Sequence, residues 1–186
     1  MFIDVYAGDP SDEKRRVADK LGIRIAPGHY SLLVSRDRRR VRRERRSTDF
    51  VAARPKNKQE MNSLLTDTHY DFMIVEFSLG KRNIRMAKRY ETAIAIPVSP
   101  AFSLKVSDLA RVRRNMMLVQ ELGGTLLICS GAGDASQLRG GRELAAVGIL
   151  LGLRPDYATR AVKHVPAAIL ERNRRRAKQE VWGVEG

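Results

Sequence analysis

The side chains able to do chemistry fall into three groups: acids after short apolar runs, three histidines, and a surplus of arginine. Asp9, Glu76 and Asp134 each follow a run with strand composition. In an α/β barrel, acids so placed could converge at one mouth and hold Mg²⁺. The commoner use of such acids is to cap turns and helices. His29, His69 and His164 show no HxH, HxxxH or HExxH spacing, so they carry no metal-site signal. No serine lies in a GxSxG elbow. The single cysteine, Cys129, sits among apolar neighbours and reads as a buried structural thiol in a chain without an intrachain disulfide, which suits a reducing compartment. No catalytic residue and no protein-held metal or cofactor is assigned on these grounds.

Charge is the stronger signal. The chain has 186 residues, 35 Lys plus Arg against 21 acids, and a formal net charge of +14. Such an excess calls for a polyanionic partner, and Arg, whose planar fork binds two phosphate oxygens, greatly outnumbers Lys. The densest stretch is RDRRRVRRERR, with Arg36, Arg38, Arg39, Arg40, Arg42, Arg43, Arg45 and Arg46 interrupted only by Asp37, Val41 and Glu44. As a helix it sets arginines four apart at 36/40, 38/42, 39/43 and 42/46, each pair costing roughly 0.2–0.5 kcal/mol. The segment is therefore expected to be loosely ordered alone and to settle on RNA. A second group, Arg172, Arg174, Arg175 and Arg176, lies near the C-terminus, and Arg139 and Arg142 flank Gly140-Gly141. These arginines should contact phosphate rather than read bases. Five Phe, five Tyr and one Trp are too few for a base-stacking platform.

The elements that must position these residues alternate. Phe2–Tyr6, Tyr30–Val34, Thr48–Ala53, Asp71–Phe77, Ala93–Val98 and Leu126–Cys129 read as strands. Helical patterns run from Ser11 to about Leu21, Lys56 to Leu65, Lys81 to Arg89, Val106 to Leu122 and Arg142 to Leu153. Pro155–His164 and Pro166 to about Gln179 make a helical C-terminus. On Val106–Leu122 the pattern puts Leu109, Val112, Met116 and Val119 on the core face and Arg111, Arg114 and Asn115 off it. Strands alternating with helices imply a parallel sheet. The expected fold is α/β, TIM-barrel-like, with six or seven parallel strands, helices outside, and a chain short for eight units. A doubly wound open sheet is the alternative. Residues 1–186 read as one domain. Asp4 interrupts the N-terminal apolar run and no stretch is long enough to span a bilayer, so a soluble cytoplasmic protein with no membrane partner is expected.

The stretch from Thr125 to Leu153 adds a resemblance. It runs from a strand through Ser130-Gly131-Ala132 and Leu138-Arg139 to Glu143-Leu144-Ala145 and Leu151-Gly152-Leu153, and Pro166 with Ile169-Leu170-Glu171-Arg172-Asn173 follows. This combination resembles protein component 3 of archaeal ribonuclease P, related to the eukaryotic 30-kDa ribonuclease P protein. Here Gly140-Gly141 stands where Ser-Pro is often found. The resemblance covers the last third tightly and the rest in element order.

The resemblance implies a TIM-barrel-like fold related to the PHP phosphoesterase barrels. It implies a subunit of a ribonucleoprotein that removes the 5′ leader from precursor tRNA, with the chemistry carried by the ribonuclease P RNA and Mg²⁺ of the holoenzyme. It also implies pairing with a small RRM-like ribonuclease P protein subunit and association with other ribonuclease P proteins. PHP enzymes carry histidine pairs after the first strand, whereas this chain has Asp4-Val5-Tyr6 there. Two other classes stand beside this reading: a metal-dependent phosphoesterase of the PHP-like barrel class, and a barrel that only docks other proteins.

Overall fold

The computed structural model describes residues 2–8, 11–99 and 105–182, with side chains to residue 177. Seven short strands form the inner wall: β1 (Phe2–Asp4), β2 (Ile23–Ile25), β3 (Leu32–Val34), β4 (Phe50–Ala53), β5 (Phe72–Ile74), β6 (Ala93–Pro97) and β7 (Leu126–Cys129). All pairings are parallel. β3 to β7 ladder in sequence order, and β1 pairs with β2. β2 was not among the expected strands, because three residues are too few for an alternation to be read.

β4 to β7 are buried on both faces, and the period of two sorts their side chains. Phe50, Ala52, Phe72, Ile74, Ala93, Ala95, Leu127 and Cys129 point into the barrel. Val51, Ala53, Met73, Val75, Ile94, Ile96, Leu126 and Ile128 point out against the helices. Phe50 and Phe72 meet edge-on, centroids 6.3 Å apart, near the strand starts. At the β7–β1 seam, Ser130 N donates to both Asp4 carboxylate oxygens at 3.1 and 3.2 Å, and Gly131 N donates to the Tyr6 carbonyl at 2.9 Å. β2 and β3 are joined by residues 26–31 without a crossover helix.

Outside lie α1 (Asp12–Lys20), α2 (Arg38–Glu44), α3 (Lys58–Leu65), α4 (Lys81–Arg89), α5 (Val106–Glu121) and α6 (Gly141–Leu150). Ser11 caps α1 by accepting from Lys14 N, and acidic Asp12 and Glu13 occupy its first turn. On α5 Val112, Met116 and Val119 are buried as expected, and the departures are Leu109 and Asn115. Asn115 is buried, donating to the Phe77 carbonyl and accepting from Leu79 N, whereas Leu109 is 42% exposed. Two open backbone groups in the loop after β5 are met by an amide from a position the apolar pattern left off the core face.

The chain then runs through α7 (Pro155–Thr159), a π-helical turn (Arg160–His164) and α8 (Val165–Trp182). The expected break at Pro166 is thus a widened turn inside a continuous rod. Proline lacks an N–H and its ring crowds the carbonyl four residues back. The wider turn, in which Val165 N reaches the Arg160 carbonyl, makes room for it. Val165, Ile169 and Leu170 join the interior cluster, so α8 closes the barrel at the N-terminal ends of the strands.

Candidate nucleic-acid interface

Each mouth of the barrel has a buried aspartate at its centre. At the C-terminal mouth, Asp4 is fully buried and accepts from Ser130 N and Tyr6 N. Burial pushes its carboxyl up to about 6, against hydrogen bonds from Ser130 and Tyr6 and the charge of Lys14. Lys14 is itself buried, its Nζ donating to the Ala7 and Ala132 carbonyls at 3.0 and 2.8 Å.

Of the strand-end acids, Glu76 and Asp134 are engaged separately. Glu76 pairs with Arg54, whose Nε donates to Oε2 at 2.9 Å. Asp134 is exposed and accepts from Ser136 N and Gln137 Nε2, holding the turn before α6. Asp9 lies outside the described residues. Among the described residues no group of three or more His, Cys, Asp or Glu could hold a metal ion. His29 hydrogen-bonds Asp19 at 3.0 Å and His69 hydrogen-bonds Asp67 at 2.6 Å. Burial raises the Cys129 thiol well above its ordinary pKa.

At the N-terminal mouth, Asp71 is 1% exposed and saturated. Its Oδ1 accepts from Arg45 Nη2 at 2.8 Å and Arg172 Nη2 at 3.0 Å, and its Oδ2 from Val51 N and Asn173 Nδ2, both at 2.9 Å. Asn173 also donates to the Asp49 carbonyl at 2.8 Å. The α8 motif Glu171-Arg172-Asn173 is thereby fastened to the starts of β4 and β5. Asp71 escaped the sequence reading because an acid before a strand is common; the Arg172-Asn173 pair in the C-terminal motif was the one available signal.

The basic segment is an ordered helix. Asp37 caps α2 by accepting from Arg39 N and Arg40 N. The expected repulsion is answered by acids on and off the segment: Arg40 and Arg43 pair with Glu44, Arg36 with Glu60, and Arg42 and Arg38 approach Asp67 at 3.6 and 4.0 Å. Arg38 also donates to the Ser63 carbonyl. Burial disfavours the Asp67 charge, but hydrogen bonds from His69 and the nearby Arg42 hold its carboxyl below the usual range. The off-segment acids, Glu60 and Asp67, could not be counted from the run alone.

Following β3 and preceding β4, α2 runs down the barrel flank toward the N-terminal mouth. There Arg45 turns inward to Asp71, its side chain 12% exposed, and so differs from its neighbours on the outer face. Arg39, Arg40, Arg42, Arg43 and Arg46 are exposed, as are Arg174, Arg175 and Arg176 on α8. Arg174 lies over the Tyr30 ring, and Arg175 pairs with Glu171. Arg46 and Arg176 line one cavity, so two sequence groups about 130 residues apart meet at this mouth. Arg139 and Arg142 belong to the opposite mouth. Arg139 donates to the Ser136 and Leu138 carbonyls, and Arg142 is exposed on the first turn of α6. At Gly141 a Cβ would stand 2.0 Å from Phe2 Cγ, which accounts for the glycine at that helix start.

The family model described as RNase P subunit p30 matches residues 33–178. The chain belongs to the RNase P subunit p30 family. The match includes β3 to α8, and so both arginine groups of the N-terminal mouth. The chain is similar to the Arabidopsis thaliana protein GAMETOPHYTE DEFECTIVE 1, 28% identical over 142 residues, covering 69% of this chain and 24% of that protein. It thus spans about a quarter of that relative's length. A chain in the cryo-EM structure of archaeal ribonuclease P with mature tRNA superposes with a TM-score of 0.69 at 15% identity, covering 92% of this chain and 80% of that one. That likeness shows the TIM-barrel-like fold of this p30-family chain. No helix among the described residues is long and apolar enough to cross a membrane.

Proposed function

We propose that this chain is a protein subunit of ribonuclease P that binds the RNA of the holoenzyme through its arginine-rich N-terminal mouth and supports removal of the 5′ leader from precursor tRNA. The observation that carries the reading is the meeting of Arg45 and Arg46, just past the end of α2, with Arg176 of α8 at one end of a p30-family barrel. Exposed guanidiniums on a rigid flank suit phosphate contacts that fix register without reading sequence. The isolated protein is non-catalytic in this reading, since Glu76 and Asp134 are engaged in separate structural roles. Mg²⁺ belongs to the RNA-based holoenzyme. Arg139 and Arg142 form a second, smaller contact. The family resemblance supports pairing with a small RRM-like subunit and a cytoplasmic holoenzyme.

The test is binding of the full chain to ribonuclease P RNA across a salt series. If about six phosphates are neutralised, log affinity falls with log salt at a slope of about −4 to −5. A slope near zero, or phosphodiester hydrolysis by the purified protein without RNA, overturns the proposal.

A further inference from the structure

The flank between β5 and β6 carries a charge surplus that neither mouth accounts for. Helix α4, KRNIRMAKR, has five cations and no acid. Lys81, Arg82, Arg85, Lys88 and Arg89 are all exposed. Their spacing gathers them into one stripe about 120° wide and about 12 Å long. The opposite face, Asn83, Ile84 and Ala87, is buried.

These cations differ from those of the α2 segment. There Arg36, Arg38, Arg40, Arg42, Arg43 and Arg45 each meet an acid. Among the described residues none of the five α4 cations is in an ion pair, and Arg89 lies over the Tyr90 ring. Nor does the helix gain from them. Lys81 and Arg82 occupy the first turn, the positive end of the helix dipole. Lys81 and Arg85, and Arg85 and Arg89, fall four apart and repel. The helix is held instead by its buried face and by Asn83 Oδ1, which accepts from Gly80 N at 3.0 Å. The stripe therefore opposes the free fold, and a bound polyanion would relieve it.

The neighbouring side chains select among polyanions. Met86, half-buried, is the one large apolar residue beside the stripe, so the helix has no wedge for a lipid surface. The stripe has no aromatic residue on which to stack an unpaired base. A row of cations on a convex, rigid helix suits the phosphate backbone of a duplex. We propose that the outer face of α4 binds the backbone of a double-helical RNA segment, as a contact separate from the N-terminal mouth. The inference rests on the chain working on RNA and names helical RNA as what this second surface takes.

The experiment titrates the full chain with a blunt RNA duplex of arbitrary sequence, about one helical turn long, while the amide resonances of Arg82, Arg85 and Lys88 are followed. Three proteins are compared: the wild type, the mouth variant Arg174→Glu/Arg176→Glu, and the stripe variant Arg82→Gln/Arg85→Gln/Arg89→Gln. The stripe positions are exposed and glutamine is a good helix former, so an unchanged or raised melting temperature is expected for that variant. Saturable α4 shifts in the wild type and the mouth variant support the proposal. With them, the stripe variant should bind the duplex at least about tenfold more weakly, with a salt slope shallower by about two to three units. Absent α4 shifts, or wild-type duplex affinity in the stripe variant, overturn it and leave the mouth reading standing. Equal shifts and affinity with poly-glutamate at matched charge assign the face to an acidic protein and overturn the RNA source. Wild-type binding of ribonuclease P RNA by the mouth variant, with the α4 shifts intact, overturns the mouth reading and leaves this one.

Discussion

The two mouths of this barrel treat a buried aspartate in opposite ways. At the N-terminal mouth Asp71 shares its charge with two guanidiniums and an amide, and further arginines surround that core. At the C-terminal mouth Asp4 is held by backbone amides at the β7–β1 seam, and burial raises its pKa to about 6. In barrels of this class the C-terminal mouth normally holds the active site. Here several of its charged groups are engaged structurally: Lys14 on carbonyls, Arg54 with Glu76, Asp134 on its own turn. The difference teaches that barrel topology alone does not locate function. In the proposed function that part falls to the exposed arginines at the end that α8 closes.

Removing Asp71 should have the largest effect. Asp71→Ala leaves Arg45 and Arg172 buried without a counter-charge, a loss of about 3–5 kcal/mol in denaturant unfolding. A loss below about 1 kcal/mol would mean that the hub does not hold α8 to the barrel.

Asp4→Asn sharpens the contrast by removing the charge and keeping the acceptor. The folded carboxyl, near 6, sits above its usual 3.8, so the folded state binds more protons between those values. Wild-type stability therefore falls as pH rises from about 4 to 6, by roughly 2–3 kcal/mol from this group. Stability curves of wild type and Asp4→Asn should diverge across that window, with the variant flatter. Parallel curves would show that Asp4 does not titrate there.

A smaller effect is expected at Gly141→Ala, where the new methyl meets the Phe2 ring. Overpacking of this kind costs about 1–3 kcal/mol. An unchanged melting temperature would show that Phe2 swings clear.

Much of the fold was legible because the strands are apolar runs bounded by turn residues and the helices carry caps and periodicity. The helix of Lys81–Arg89 and the strand–loop–helix of Thr125–Leu153 follow from those signals. β2 did not show, since Ile23-Arg24-Ile25 is too short to carry a pattern. Asn115 misled because its value lies in two backbone groups 36 and 38 residues away. At the candidate site the arginines were legible as charge, but their division of labour was not. Arg45 and Arg46 are adjacent, yet one is turned to Asp71 and the other exposed, and only the closure by α8 separates them.

The central proposal is that RNA binds chiefly at the N-terminal mouth, with Arg139 and Arg142 at the C-terminal one a smaller contact. The most direct measurement compares ribonuclease P RNA binding by Arg174→Glu/Arg176→Glu with binding by Arg54→Gln, each across a salt series. The account predicts at least a tenfold loss and a shallower slope, by about one to two units, for the first variant. It predicts wild-type binding for the second. Wild-type affinity in the first variant with a loss in the second would place the interface at the C-terminal mouth and contradict the account.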